Sequence, residues 1–111
     1  MITTNQNFDM VRGDTFVFCF EVSNLENIDH IFFSCKTKQT DTSYAFQKTL
    51  EDGIYNIEGY KYGVRIAPED TENLNVGTYY YDLEIRSNSD VYTLLNGQLT
   101  LEQDITRDVD D

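Results

Sequence analysis

Acyl transfer requires a nucleophile, a base beside it and a group that orients the base. The chain offers one imidazole, His30, set between Asp29 and Ile31, and two thiols, Cys19 and Cys35. His30 falls at the end of a polar stretch and reads as a solvated loop imidazole rather than a base. Both cysteines lie inside apolar, alternating segments. They read as buried thiols that pack as small hydrophobes, with a disulfide as the other option. Two Cys and one His do not make a structural zinc site.

Carboxylates are abundant. Glu69, Asp70 and Glu72 follow Pro68 closely enough to hold a cation together. Their spacing matches no calcium loop, however, and no Gly stands at the bend such a loop needs. They read as the solvated first turn of a helix. Asp104, Asp108, Asp110 and Asp111 read as a soluble tail. Arg12-Gly13-Asp14 matches the tripeptide that integrins recognise, but here Gly and Asp serve to break two strands. No glycine-rich phosphate loop occurs. These residues assemble no catalytic set, so an enzyme is not expected, and neither is a metal or other cofactor.

Aromatic side chains are the remaining candidates. Tyr79, Tyr80 and Tyr81 are consecutive, so at least one ring faces outward from a strand. Tyr60, Tyr62 and Tyr92 join Tyr80 on the outside if their strands are edges. An exposed Tyr can stack on a sugar or anchor a protein interface. Plain sheet packing is the competing reading.

The elements that must position these residues alternate with period two almost throughout. Phe8 and Met10 precede a break at Arg12-Gly13-Asp14. Phe16, Phe18, Phe20 and Val22 share one face of a strand. Val17 and Cys19 on its other face predict a central strand, partly covered on both sides. Asn24 to His30 reads as a connection. Ile31, Phe33 and Cys35 form the next inward face, and Lys38 to Ser43 a polar turn. Tyr44, Phe46, Lys48 and Leu50 follow, then the turn Glu51-Asp52-Gly53, an ambiguous Ile54–Glu58, and the alternation Tyr60, Tyr62, Val64, Ile66. Residues 68–74 read as one short helical turn, with Pro at its start and acids after it. Tyr79, Tyr81, Leu83 and Ile85 face inward on the next strand. A hairpin turn at Ser87-Asn88-Ser89-Asp90 leads to a last strand bulged at Asn96-Gly97, whose inward side is Leu99 and Leu101. The sum is an all-β domain, about 7–8 antiparallel strands in a β-sandwich.

Composition agrees. The chain has 111 residues, enough for one domain. Forty per cent of it is apolar and fifteen residues are Phe or Tyr, which supports a core built from strands. Twenty acidic against eight basic side chains leave a net charge of −12. That charge opposes binding to nucleic acid and to an anionic membrane surface. No apolar run is long enough to span a membrane, and no secretory leader or N-glycosylation acceptor is visible.

The stretch Pro68-Glu69-Asp70-Thr71 followed by Gly77-Thr78-Tyr79-Tyr80-Tyr81-Asp82 resembles an immunoglobulin-type corner. In such corners an acidic turn precedes Gly-x-Tyr and the tyrosine hydroxyl closes back on the turn. The resemblance makes Asp70, Gly77 and Tyr79 the corner and puts Tyr81 in place of the second disulfide cysteine. A wider set of motifs comprises Arg12-Gly13-Asp14-Thr15, Ile66-Ala67-Pro68-Glu69-Asp70-Thr71, Gly77 to Ile85, and Tyr92 to Leu101 through Ile105-Thr106-Arg107. Together they are similar to small structural domains of tailed bacteriophages and prophages, in particular the N-terminal domain of baseplate upper proteins.

That resemblance extends over roughly residues 12 to 107 and implies an immunoglobulin-like sandwich, in a single domain expected at 1–107 with an acidic tail at 108–111. It implies a virion component, assembled in the host cytoplasm, that holds a fibre or receptor-binding protein through protein–protein contacts. Other virion proteins, or further copies of the chain, would be its partners, and Tyr80, Tyr60, Tyr62 and Tyr92 its candidate interface. The alternative is a carbohydrate-binding or adhesion module on the same fold.

Overall fold

The computed structural model describes residues 2–23 and 25–106. Asn24, where the expected connection begins, and the acidic residues Asp108, Asp110 and Asp111 lie outside them. The described residues form nine strands and one short helix. The strands are β1 (Thr4–Asn5), β2 (Phe8–Val11), β3 (Phe16–Glu21), β4 (Ile28–Lys36), β5 (Phe46–Leu50), β6 (Gly53–Glu58), β7 (Lys61–Ile66), β8 (Gly77–Ser87) and β9 (Asp90–Glu102). Helix α1 (Pro68–Thr71) lies between β7 and β8. No helix among the described residues is long and apolar enough to cross a membrane.

The chain is all-β, as its alternation predicts. The strands form one curled mixed sheet in the order β1-β9-β8-β4-β5-β6-β7-β3, with β2 also on β9. The backbone of the molecule is the β8–β9 hairpin. Its two-residue turn holds Asn88 and Ser89 at φ 51° and 72°, the mirror-image turn whose twist matches the strands it joins. Between β5 and β6 the chain bends at Glu51–Gly53, and only Thr49↔Gly53 and Leu50↔Ile54 keep the ladder continuous. Beyond that bend β6-β7-β3 turn over the remaining strands. Phe18 of β3 meets Phe33 of β4 at 5.7 Å across the interior, although the two strands are not neighbours in the ladder.

The core is the inward face of each strand. Ile31, Phe33, Cys35, Leu83, Ile85, Leu99 and Val64 are sealed from solvent, and Tyr79, Tyr81 and Leu101 nearly so. Phe8 stacks on Phe18 at 4.7 Å, and Tyr81 on Phe33 at 5.1 Å. Aromatic pairs at such separations add to the area they bury.

Several expectations are corrected. Three of the pairings are not antiparallel: β1 and β2 run parallel to β9, and β5 runs parallel to β6. The sheet is therefore mixed, and it has nine strands rather than seven or eight. Strand β3 is not central. It ends the ladder, pairing only with β7, and its outward Val17 is 48% exposed and Cys19 is exposed too. An apolar second face proved compatible with an open edge strand. The bulge of β9 lies at Leu94, between the pairs Leu83↔Leu95 and Glu84↔Thr93, and not at Asn96-Gly97. Gly97 answers a different need. A Cβ there would run into the Gln6 carbonyl, so its absence lets the β1–β2 segment lie against β9. The pairs β3–β7–β6 and β4–β8–β9 fit an immunoglobulin-like sandwich, although the ladder through β5–β6 joins what would be two separate sheets.

Candidate functional site

Arg12-Gly13-Asp14 is a structural joint. The Arg12 guanidinium bonds Asp104 (Nη2 to Oδ1 2.9 Å, Nε to Oδ1 3.0 Å) and donates to the Leu74 carbonyl at 3.0 Å. Both charged side chains are only 12% exposed. Asp104 is thus a docked partner and not the start of a solvated tail. Gly13 donates its N–H to the Thr71 hydroxyl, which is buried at the end of α1. Asp70 is equally committed. Its Oδ2 accepts the Ala67 N–H at 2.7 Å and pairs with Lys48 Nζ at 2.7 Å. Among the described residues no group of three or more His, Cys, Asp or Glu is placed to hold a metal ion.

Tyr79 closes a corner in the way the resemblance implies, but onto different residues. Its hydroxyl donates to the Asn75 carbonyl at 2.7 Å, while Asp70 takes no part. Gly77, at φ 139°, opens the strand in a region an L side chain rarely adopts. The Tyr81 hydroxyl donates to the Gln6 carbonyl at 2.6 Å, pinning the N-terminal segment. Burial pushes the Tyr81 phenol up to about 12 and raises Tyr79 as well.

Among the described residues no nucleophile–base pair forms. His30 is not in a loop: it lies within β4, exposed, with its ring stacked on Phe32 at 5.7 Å. Cys35 is on the opposite face of the same strand, in the core, where burial pushes its thiol up to about 12. Cys19 is exposed on β3, so only one of the two thiols is buried, and both are free.

The candidate interface tyrosines are not brought together. Tyr60 is 48% exposed in the β6–β7 turn, and Tyr62 is half-buried on β7 with its ring on Phe20 at 5.8 Å. Tyr92 sits near the hairpin end of β9. Tyr80 alone enters a concave site, on the outward face of β8.

That site follows from register. Outward residues of adjacent strands stand in rows across the sheet. One row is Asn5, Asn96, Asp82, Ser34 and Gln47, crossing β1, β9, β8, β4 and β5. On one side runs the row Gln98, Tyr80, Lys36, and on the other Thr93, Glu84, Phe32. The central row is made largely of short side chains and the flanking rows carry longer ones, so the sheet face holds a trough of about 780 Å³. Neighbours fix its parts. Asn5 Nδ2 donates to Asn96 Oδ1 at 3.2 Å, Asn7 Oδ1 accepts the Gln98 N–H at 2.9 Å, and Gln47 donates to the Ser34 hydroxyl at 2.9 Å. The Lys36 ammonium lies over the Tyr44 ring, 5.3 Å from its centre. At the far side Arg86 bonds Glu84 at 2.8 Å and covers Phe32 at 5.1 Å.

Asp82 is at the middle. Burial raises its carboxyl above the ordinary aspartate value; the nearby Glu84 charge adds to this, and Lys36 opposes it. The sequence marks Tyr80 as an outward candidate interface residue but does not single out Asp82 or Glu84 beside it. The floor comes from segments near residues 5, 34, 47, 82 and 96, and only the strand pairing unites them.

Compared with known proteins, the chain matches no family model and no curated sequence.

Proposed function

We propose that this protein is a non-enzymatic virion structural domain of a tailed bacteriophage or prophage, a baseplate or tail component that holds a fibre or receptor-binding protein by protein–protein contact. The observation that carries this reading is a convergence. The motifs that resemble phage tail domains fall far apart in the chain, yet their residues are joined to one another. Arg12 reaches Asp104 and Leu74, Gly13 reaches Thr71, and Gly77–Ile85 pairs with Tyr92–Leu101 as the central hairpin. A set of motifs that work as one mechanical unit is what a shared scaffold would retain.

The surface supports a docking role. The ladder ends at β3 with one side unpaired, and strand addition uses such an edge. Val17 on β3 and Tyr55 and Ile57 on β6 are exposed apolar groups in the same half of the molecule. The −12 charge favours partners with basic faces. Purified particles from a lysogen carrying the gene test the reading by mass spectrometry. The chain is expected in the particle fraction at a fixed ratio to tail proteins. Its confinement to the particle-free supernatant would overturn the assignment.

A further inference from the structure

The trough across β9, β8 and β4 is more than a docking scaffold requires. Its floor strands are hydrogen-bonded on both sides, so their main-chain groups are already used. A ligand lying there is read by side chains, which excludes peptide capture by strand addition. The side chains are amides, hydroxyls and one central carboxylate. Amide and hydroxyl groups donate and accept, as sugar hydroxyls do, and a carboxylate accepts from two neighbouring hydroxyls at once. The tyrosine rings at the border, Tyr80 and the 51% exposed Tyr44, supply apolar surface with a polar tip. From Asn5 on β1 to Ser34 on β4 the lining part of the central row spans about 14 Å at the usual strand spacing, room for a short oligosaccharide.

Charge narrows the class. Asp82 and Glu84 line the trough with Lys36, Glu84 is paired to Arg86 at its far side, and the whole chain carries a charge of −12. A sugar acid would meet an unfavourable field, whereas a neutral sugar would not. Asp82 is partly desolvated, so it gains most from hydroxyl donors that arrive with a ligand.

We propose that this trough binds a neutral oligosaccharide laid across the strands, with Asp82 and Asn96 reading ring hydroxyls at its centre and Tyr80 and Tyr44 bordering the sugar faces. The site is independent of the virion assignment, and its failure would leave that assignment standing.

The test is an NMR titration of the full chain with maltotetraose, cellotetraose and tetra-N-acetylchitotetraose, with tetragalacturonate as the anionic probe. At least one neutral tetrasaccharide is expected to move the amides of residues 80–84 and 94–98. The carboxyl titration of Asp82 should fall when that sugar is bound. Asp82→Ala and Tyr80→Ala should each weaken binding at least about tenfold, with the chemical shifts of core residues such as Leu99 unchanged. Gln98→Ala, at the edge of the trough, serves as the second variant should either of those misfold. Three results would each overturn the proposal: no neutral sugar moves these amides, tetragalacturonate binds more tightly than every neutral probe, or the variants bind as well as the parent chain.

Discussion

The two cysteines show how a strand face decides chemistry. They are sixteen positions apart and sit in similar apolar surroundings in the sequence. Cys35 points into the core, and its thiol is held far from ionisation, whereas Cys19 points outward from an edge strand. Only a thiolate attacks a disulfide reagent. With the native chain, Ellman's reagent should therefore titrate one thiol quickly, and Cys19→Ser should abolish that phase. The second thiol should appear only on adding denaturant. Two equally fast thiols would contradict this placement.

Asp82 poses the inverse case, a carboxylate kept charged at a cost. Its native carboxyl titrates above the ordinary range because of burial first and Glu84 second. A raised carboxyl favours the folded state fully only below the unfolded value, and that contribution is lost as the pH rises through the native one. Asp82→Asn should thus raise the melting temperature at neutral pH. The gain should fade on acidification, as Asp82 itself becomes neutral. A gain that grows toward acid would refute the sign.

Among the elements, the joint between the N-terminal segment and α1 matters more than its size suggests. Arg12 ties together the turn after β2, the residues after α1 and Asp104 beyond β9. Hydrogen bonds to charged groups contribute about 1.5–3 kcal/mol when mostly shielded. Arg12→Ala should lower unfolding free energy by about that amount in a urea titration, and a change below about 0.5 kcal/mol would show the ion pair to be incidental. Lys48–Asp70 performs the same task for α1, joining it to β5.

The strands that were legible in the sequence are those whose two faces differ. In β8 the inward Tyr79, Tyr81, Leu83 and Ile85 alternate with Tyr80, Asp82, Glu84 and Arg86, and burial follows that pattern. In β3 both faces are apolar, so composition could not distinguish an open edge from a covered centre. Parallel pairing of β1 and β2 with β9 left no local mark, because a parallel partner needs no adjacent turn. Gly97 signalled an irregularity, but its cause, the passing Gln6 carbonyl, is ninety-one residues away. The trough was hidden for the same reason: each contributing residue looks like ordinary solvent-facing polarity until register sets them in a row.

Over the whole molecule, one aromatic and aliphatic interior holds the curled sheet closed. Leu83 lies fully buried on the central hairpin, and Leu83→Ala should cost about 2–5 kcal/mol by chemical denaturation. A loss under about 1 kcal/mol would mean that the inner face is not one packed unit. Against this cohesion acts a charge of −12 on a small body. Its repulsion extends about 30 Å at 0.01 M salt and about 8 Å at 0.15 M. The melting temperature should therefore climb between those two salt concentrations, and a fall would mean that ion pairs such as Arg12–Asp104 outweigh the repulsion.

The parallel course of β1 and β2 along β9 also governs how the protein would carry tension. A load entering ahead of β1 and leaving after β9 meets the two strands at opposite ends of a shared ladder. The rungs are then sheared together instead of being peeled one at a time. Tyr81 to Gln6 rivets that seam between β1 and β2, and Arg12 to Asp104 rivets it just past the end of β2. Such a seam resists tearing far better than a hairpin pulled open from its tips.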